Sequence, residues 1–229
     1  MNWHEQYRPD QRLLTDVQTP SVSGGAELFV VEGDSAAQSV VRARDPQRQA
    51  VFAMQGKPLN AWKASAAAVI ANPWYAQLIE ALGTGWGPSL DCRRCRFDRI
   101  ILLCDPDADG VHCEVLLLLF FVKWLPELVE SGRLAAVRPP LWQFTIPATR
   151  QIAYAYSDDH ARRIRSALQN QGVTEFHQQR YRGLASLSGG TLAETCISPG
   201  SRKLRVLRTD DAETALQMMK LNSEAVGES

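Results

Sequence analysis

The chain's 229 residues suffice for one large domain with an appendage, and 45% hydrophobic with 22% charged residues describe an ordinary soluble globular protein. Twenty-five Lys and Arg balance 25 Asp and Glu, so net charge alone points to no partner, and five scattered cysteines argue against a secreted disulfide framework. The polar start MNWHEQYRPDQ lacks a signal-peptide core, and the longest apolar run, 115–122, is too short for a bilayer, which implies a cytoplasmic protein with no membrane partner.

Residues 1–25 are polar and broken by Pro9, Pro20, Gly24 and Gly25, and read as a flexible arm. ELFVVEGDSAAQSVVRA (27–43) predicts a strand, a Gly-bearing turn and a helix, with Asp34 or Ser35 as its cap. QAVFAMQGKPLNAWKAS (49–65) predicts a second strand ending near Gly56, then a loop. ANPWYAQLIEALGTGWG (71–87) carries Leu78, Ile79 and Leu82 on one helical face and stops at Gly83. RFDRIILLCDPDADG (96–110) is a third strand and turn, followed by a buried helix over 111–132 that bends or breaks at Pro126. RLAAVRPPLWQFTI (133–146) reads as a fourth strand and its exit. Strands alternating with helices imply an α/β fold with a mostly parallel sheet and helices on both faces. The domains are then 1–25, an arm; 26–150, the α/β domain; 151–222, a smaller C-terminal appendage opening on the amphipathic SDDHARRIRSALQNQG; and 223–229, a frayed end.

Active groups in such sheets gather beyond the C-terminal strand ends. Glu32 occupies one such end, and Asp105, Asp107 and Asp109 another. Carboxylates so close repel one another and need solvent, basic partners or a cation. An EF-hand loop starting at Asp105 would need Glu at its twelfth position, which is Leu116, and the preceding segment is a strand, so that reading fails. A plain surface turn accounts poorly for a third acid and for Glu32 at a separate strand end. Mg2+ needs few carboxylates and keeps sites for phosphate oxygens, and Glu32 is placed to carry a proton. Cys92 and Cys95 form a CxxC with no second close ligand pair, so zinc is not favoured. The arginines bunch at 93–99, 162–165 and 180–208, either as a basic face or as solvated surface.

EGD at 32–34 with DPDAD at 105–109 resembles the Toprim domain. In order, ELFVVEGDSA, QAVFAMQGKPLN, LIEALGTGWG, DPDADGVHCEVLLLLFF, PELVESG, RPPLW and QRYRGLASL…LAETCISP resemble the C-terminal half of bacterial type IIA topoisomerase B subunits, over about residues 26–210. The resemblance implies a Rossmann-like Toprim fold. It implies cleavage and rejoining of double-stranded DNA with an A-type subunit that carries the catalytic tyrosine. By position, Glu32 would be general acid/base and metal ligand, Asp105 and Asp107 catalytic metal ligands, and Asp109 a support for a second ion. The ion would be Mg2+, with Mn2+ or Ca2+ able to replace it for binding. Lys57, Arg180 and Arg182 would contact DNA, and His112 also matches the family.

The departures are Ala37 and Gln38 in place of two glycines, Pro106 in the aspartate loop, Glu114 for an arginine, and Gln55 where Lys is frequent. Arg182 stands for a usual Lys, and Ala185 and Ser186 for a Gly-Glu pair. The resemblance leaves the family's ATPase and transducer regions without a counterpart here, so a separate ATPase subunit is an expected partner. These departures keep alternatives open: a catalytically weak paralogue that binds DNA or a topoisomerase subunit as a regulator, or a stand-alone Toprim nuclease.

Overall fold

The computed structural model describes residues 13–18 and 25–227, with side chains through residue 218. The rest of the expected arm and residues 228–229 lie outside the described residues. Part of that arm is a short strand, β1 (Leu14–Thr15), paired antiparallel with β3 (Gln49–Met54).

The larger sheet has six strands in the order β1-β3-β2-β4-β5-β9, formed by β1, β2 (Glu27–Glu32), β3, β4 (Arg99–Leu103), β5 (Leu134–Val137) and β9 (Leu204–Val206). β3, β2, β4 and β5 run parallel, while β1 and β9 close the edges antiparallel. The unbroken apolar runs FVV, AVFAM and IILL suit strands covered on both faces. On one face Leu28, Val30, Ile100 and Leu102 pack against α3 (Pro73–Leu82) and α4 (Ala108–Trp124). On the other, Phe29, Val31, Ile101 and Leu103 pack against α1 (Asp34–Ala43) and α7 (Gly189–Leu192). The mostly parallel sheet with helices on both faces is therefore as the sequence predicts.

α3 begins with the Asn72 cap and Pro73 and ends at Gly83, whose φ of 75° places it in the left-handed region where glycine is favoured. α4 is apolar almost all round and correspondingly buried. Leu125 separates it from α5 (Pro126–Glu130), the break expected at the proline. α1 corrects the cap expectation: Gly33, not Asp34 or Ser35, holds the N-cap position, and no side chain caps the helix. The loop after β3 also contains a short helix not foreseen, α2 (Ala66–Ala71).

The segment expected as one strand and its exit divides in two. β5 joins the large sheet, whereas β6 (Trp142–Ile146) is the middle of a separate antiparallel sheet with β7 (Gln151–Ala155) and β8 (His177–Arg180). The amphipathic α6 (Asp158–Asn170), capped by Ser157, covers Phe144, Ile146 and Ala155. The chain then returns to the large sheet through Tyr181, α7 and β9. Helix α8 (Thr209–Gly227) lies against α4, and its backbone runs through most of the segment expected to fray.

That return is fastened by a buried ion pair. Arg202 Nη1 donates to Glu27 Oε2 at 2.7 Å and to the Ile197 carbonyl at 2.7 Å, and Gln49 Nε2 donates to the same two acceptors. The Arg202 and Glu27 side chains are 5% and 13% exposed. Removing one partner of such a pair leaves the other desolvated and uncompensated. Arg202→Met is expected to destabilise the fold by about 3–5 kcal/mol and lower the thermal midpoint by roughly 10 °C. Urea and thermal unfolding check this; an unchanged midpoint would refute the fastening role.

Candidate functional site

β2 and β4 pair in register from Glu27 against Arg99 to Val31 against Leu103, so both strands run out at the same edge. Beyond it, Glu32 enters the turn at Gly33, whose φ of 84° is glycine territory and whose N–H donates to the Met54 carbonyl at 2.6 Å. Side chains alternate along a strand, so Glu32 follows Val30 toward the α4 face, while Asp105 follows Leu103 toward the α1 face. The two carboxylates thus flank the edge from opposite sides.

Asp105 is the more firmly held. Its Oδ1 accepts a 2.8 Å bond from the Leu184 amide, 79 residues away in sequence. Gly183 lies flat against the same carboxylate: a Cβ there would sit 2.6 Å from Asp105 Oδ2. Gly110 packs on the Asp105 backbone so closely that a Cβ would overlap the Asp105 carbonyl. The turn carrying Gly183 is closed by Ser186, whose Oγ donates to the Gly183 carbonyl at 2.6 Å and accepts from the amides of Arg182 and Gly183. Burial pushes the Asp105 carboxyl up from its ordinary value. The Leu184 bond opposes this, and the nearby Asp107 and Glu32 carboxylates add to it.

Asp107 caps α4, its Oδ1 accepting from the Gly110 amide at 2.8 Å, and Asp109 sits exposed in the helix's first turn. Cys113, one turn on, is buried beside Glu32. Burial pushes its thiol up to about 12, and the Glu32 carboxylate adds to this, so Cys113 is a neutral neighbour for Glu32. Lys57 is exposed in the loop after β3, with its charge close enough to act on Cys113 and oppose that rise. Arg182 is exposed beside Gly183.

The structure therefore brings Glu32, Asp105, Asp107, Asp109 and Lys57 to one edge, with Arg182 adjoining. Arg180 lies apart in the small sheet, over the Trp142 ring and 3.7 Å from Asp158. Sequence reasoning missed the role of Gly183, Leu184 and Ser186 in seating Asp105, because two of the three contribute backbone. It also missed Cys113, which could have been found from its place on the apolar stripe with Leu117 and Phe120. Among the described residues, no three of His, Cys, Asp and Glu form a ready-made metal cage. No described helix is long and apolar enough to cross a membrane.

The departures have definite surroundings. Glu114 is paired with Arg205 at 2.8 Å, and Ala37 is packed into the α1-side core. Gln55 Nε2 approaches Asp34 Oδ2 at 3.4 Å, and Gln38 is exposed.

Residues 27–139 match the Toprim domain family model. The chain is 38% identical over 195 residues to the DNA gyrase B subunit of Thermotoga maritima and, over the same length, to that of Archaeoglobus fulgidus; each match covers 85% of this chain and 30% of the relative. It is 34% identical over 210 residues to the DNA topoisomerase 4 B subunit of Enterococcus faecalis, covering 90% of this chain and 30% of that protein. The chain thus spans about 30% of the length of the curated relatives it matches. Strand order, the acidic edge and these matches agree: the chain carries a Toprim domain, and over most of its length it is related to the B subunits of gyrase and topoisomerase IV.

Proposed function

We propose that the chain is a Mg2+-dependent DNA cleavage-religation module of type IIA topoisomerase kind, acting on double-stranded DNA with an A-type subunit that carries the nucleophilic tyrosine. The observation that supports this is Asp105: a carboxylate fixed by the Gly183–Leu184 backbone, set among like charges and short of a cation. Mg2+ commonly takes only one or two protein carboxylates and shares its other sites with water and phosphate, so an open arrangement of acids suits it better than a closed cage.

Asp105 and Asp107 would hold the ion, with Asp109 supporting a second. Bound there, Mg2+ supplies positive charge for the scissile phosphate and its leaving oxygen. Glu32 gives a proton to the 3′ oxygen as the tyrosine ester forms and takes it back on rejoining. The neutral Cys113 keeps a further charge from Glu32's side. Lys57 and Arg182 meet backbone phosphates at either flank, and Arg180 extends that cationic line once it leaves Asp158. Of the departures behind the regulator reading, Glu114 is paired with Arg205, and the others leave that reading as the alternative that the cleavage assay below decides.

Mixed with an A-type subunit and Mg2+, the chain is expected to cleave duplex DNA and Glu32→Ala to lose about 100-fold or more of that rate. Equal cleavage by both proteins would overturn the proposal. The metal site has its own readout. A raised Asp105 pKa means the folded state binds more protons than the unfolded one, so this group's contribution to stability falls as pH rises from its unfolded value through its folded one. Because Asp105 sits among the like charges of Asp107 and Glu32, millimolar Mg2+ is expected to raise the thermal midpoint. Gly183→Ala, which must displace the Asp105 side chain, is expected to remove that increment. A midpoint insensitive to Mg2+ in the unaltered protein would count against the site.

A further inference from the structure

The CxxC of Cys92 and Cys95 takes no part at the acidic edge. It lies beyond the other end of β4, whose five residues alone span about 17 Å. All five cysteines of the chain are free thiols, and Cys95 is the one that is not buried. Cys92 is 8% exposed and belongs to the core on the α3 and α4 side of the sheet.

Cys92–Arg94 form one turn of 3-10 helix, capped by Asp91, whose Oδ1 accepts from the Arg93 amide at 3.0 Å. The Cys95 amide closes the turn on the Cys92 carbonyl at 3.2 Å. Side chains three apart eclipse in such a turn, so both thiols project on the same side, and three residues at about 2.0 Å rise each place the two Cα atoms about 6 Å apart. A disulfide spans about 4.4–6.8 Å between Cα atoms. The sulfurs are also close enough for a charge on Cys95 to act on Cys92. Arg133 Nη1 holds the Cys92 carbonyl at 3.2 Å, and the Arg96 amide donates to the Leu82 carbonyl at 2.9 Å, so the turn is fixed from both sides. Cys95 Sγ donates to the Phe97 carbonyl at 3.3 Å, the one bond that pairing the sulfurs gives up at this thiol.

We propose that Cys92 and Cys95 form a thiol–disulfide exchange site that takes a small-molecule disulfide, with Cys95 attacking and Cys92 resolving. The Cys95 sulfur, as thiolate, attacks RSSR; the mixed disulfide Cys95–S–S–R forms, and the departing RS− takes up a proton in place of the one Cys95 lost. The Cys92 sulfur, losing its proton, then attacks the Cys95 sulfur and expels the second RS−, which is protonated in turn. Two thiols are oxidised to one disulfide, and RSSR is reduced by two electrons to two RSH. Exposure sets the order, because an incoming disulfide reaches Cys95 and not Cys92. The product is a staple across the turn that joins α3 to β4, not a rapid shuttle. Burial, then the Glu127 carboxylate, pushes the Cys92 thiol up to about 11, and burial raises Cys95 as well. Such thiols ionise little at neutral pH and leave poorly, so the bond forms slowly and then resists reduction. Shuttling CxxC sites instead rely on a thiolate stabilised at a helix N-terminus, which a three-residue turn does not supply.

In the test, the folded 229-residue chain is incubated with glutathione disulfide, denatured, blocked with N-ethylmaleimide and digested with trypsin. Two of the five thiols are expected to be lost. Trypsin cuts after Arg93 and Arg94, so peptide 64–93 is expected joined by a disulfide to the dipeptide Cys95-Arg96. Cys92→Ser is expected to stop at a glutathione adduct on Cys95, and Cys95→Ser to slow reaction by about tenfold or more. The oxidised chain is expected to melt about 2–5 °C above the reduced one, a rise that dithiothreitol removes and Cys95→Ser lacks. The proposal is overturned if all five thiols survive, if the pair formed includes Cys104, Cys113 or Cys196, if the unaltered chain halts at the glutathione adduct, or if oxidation leaves the midpoint unchanged. Zinc retained by the purified chain, protecting two thiols until EDTA removes it, would assign the pair to a metal and overturn it too. These readouts involve no DNA, so they stand or fall apart from the cleavage reading.

Discussion

The parallel pairing of β2 with β4 leaves Glu32 and the aspartate turn no exit but a common edge of the sheet. Everything chemical about the molecule follows from that register. The apolar stretches on both strands are buried on both faces, and a shift by one residue would turn each core side chain to the opposite face. The hydrophobic interior therefore fixes the position of carboxylates that would separate if they were free to do so. Their repulsion is a small term against the burial of two strands and their covering helices.

A single stretch of chain fastens these strands at both ends. Residues 181–206 leave the small sheet, lay the Gly183–Leu184 backbone on Asp105, and then bring Arg202 to Glu27 at the start of β2. The two fastenings differ in kind. At the base the bond is ionic, buried and multiple, suited to holding the fold. At the acidic edge it is one amide and the absence of a Cβ, which fixes Asp105 while leaving its second oxygen uncapped by any other donor among the described bonds. The small sheet and α6 thereby serve the edge without contributing a carboxylate to it.

What the sequence made legible was whatever leaves a side-chain pattern. The apolar runs of β2, β3 and β4, the all-round apolar α4, and Gly83 as a stop are of this kind, and strand-end logic then put Glu32 and Asp105–Asp109 together. The parts that escaped carry no such pattern. β8 is HQQR, exposed at every residue, so no alternation marks it as a strand; it forms because β6 offers it a partner. The Leu184 amide is a main-chain group, which every residue has. Asp34 looked like a cap by type, yet the positive φ that lets β2 turn into α1 requires glycine one residue earlier, so Gly33 takes the place.

The same logic governs how substitutions beside such a site should be weighed. By residue type alone, Glu114 for arginine reverses a charge and Ser186 for glutamate removes one. In place, Glu114 is one member of a chain of pairs in which Arg205 also reaches Asp211, so its charge is spent toward α8. Ser186 uses its hydroxyl hydrogen and both lone pairs inside the turn that seats Asp105, a role for which a short side chain is needed. Ala37 fills core space rather than facing the edge. A substitution changes chemistry at the edge only when its side chain is left free to act there. Of these departures, Gln38 and Arg182 are the exposed polar ones whose side chains carry no described bond, so they are left freer to act at the surface than the paired Glu114.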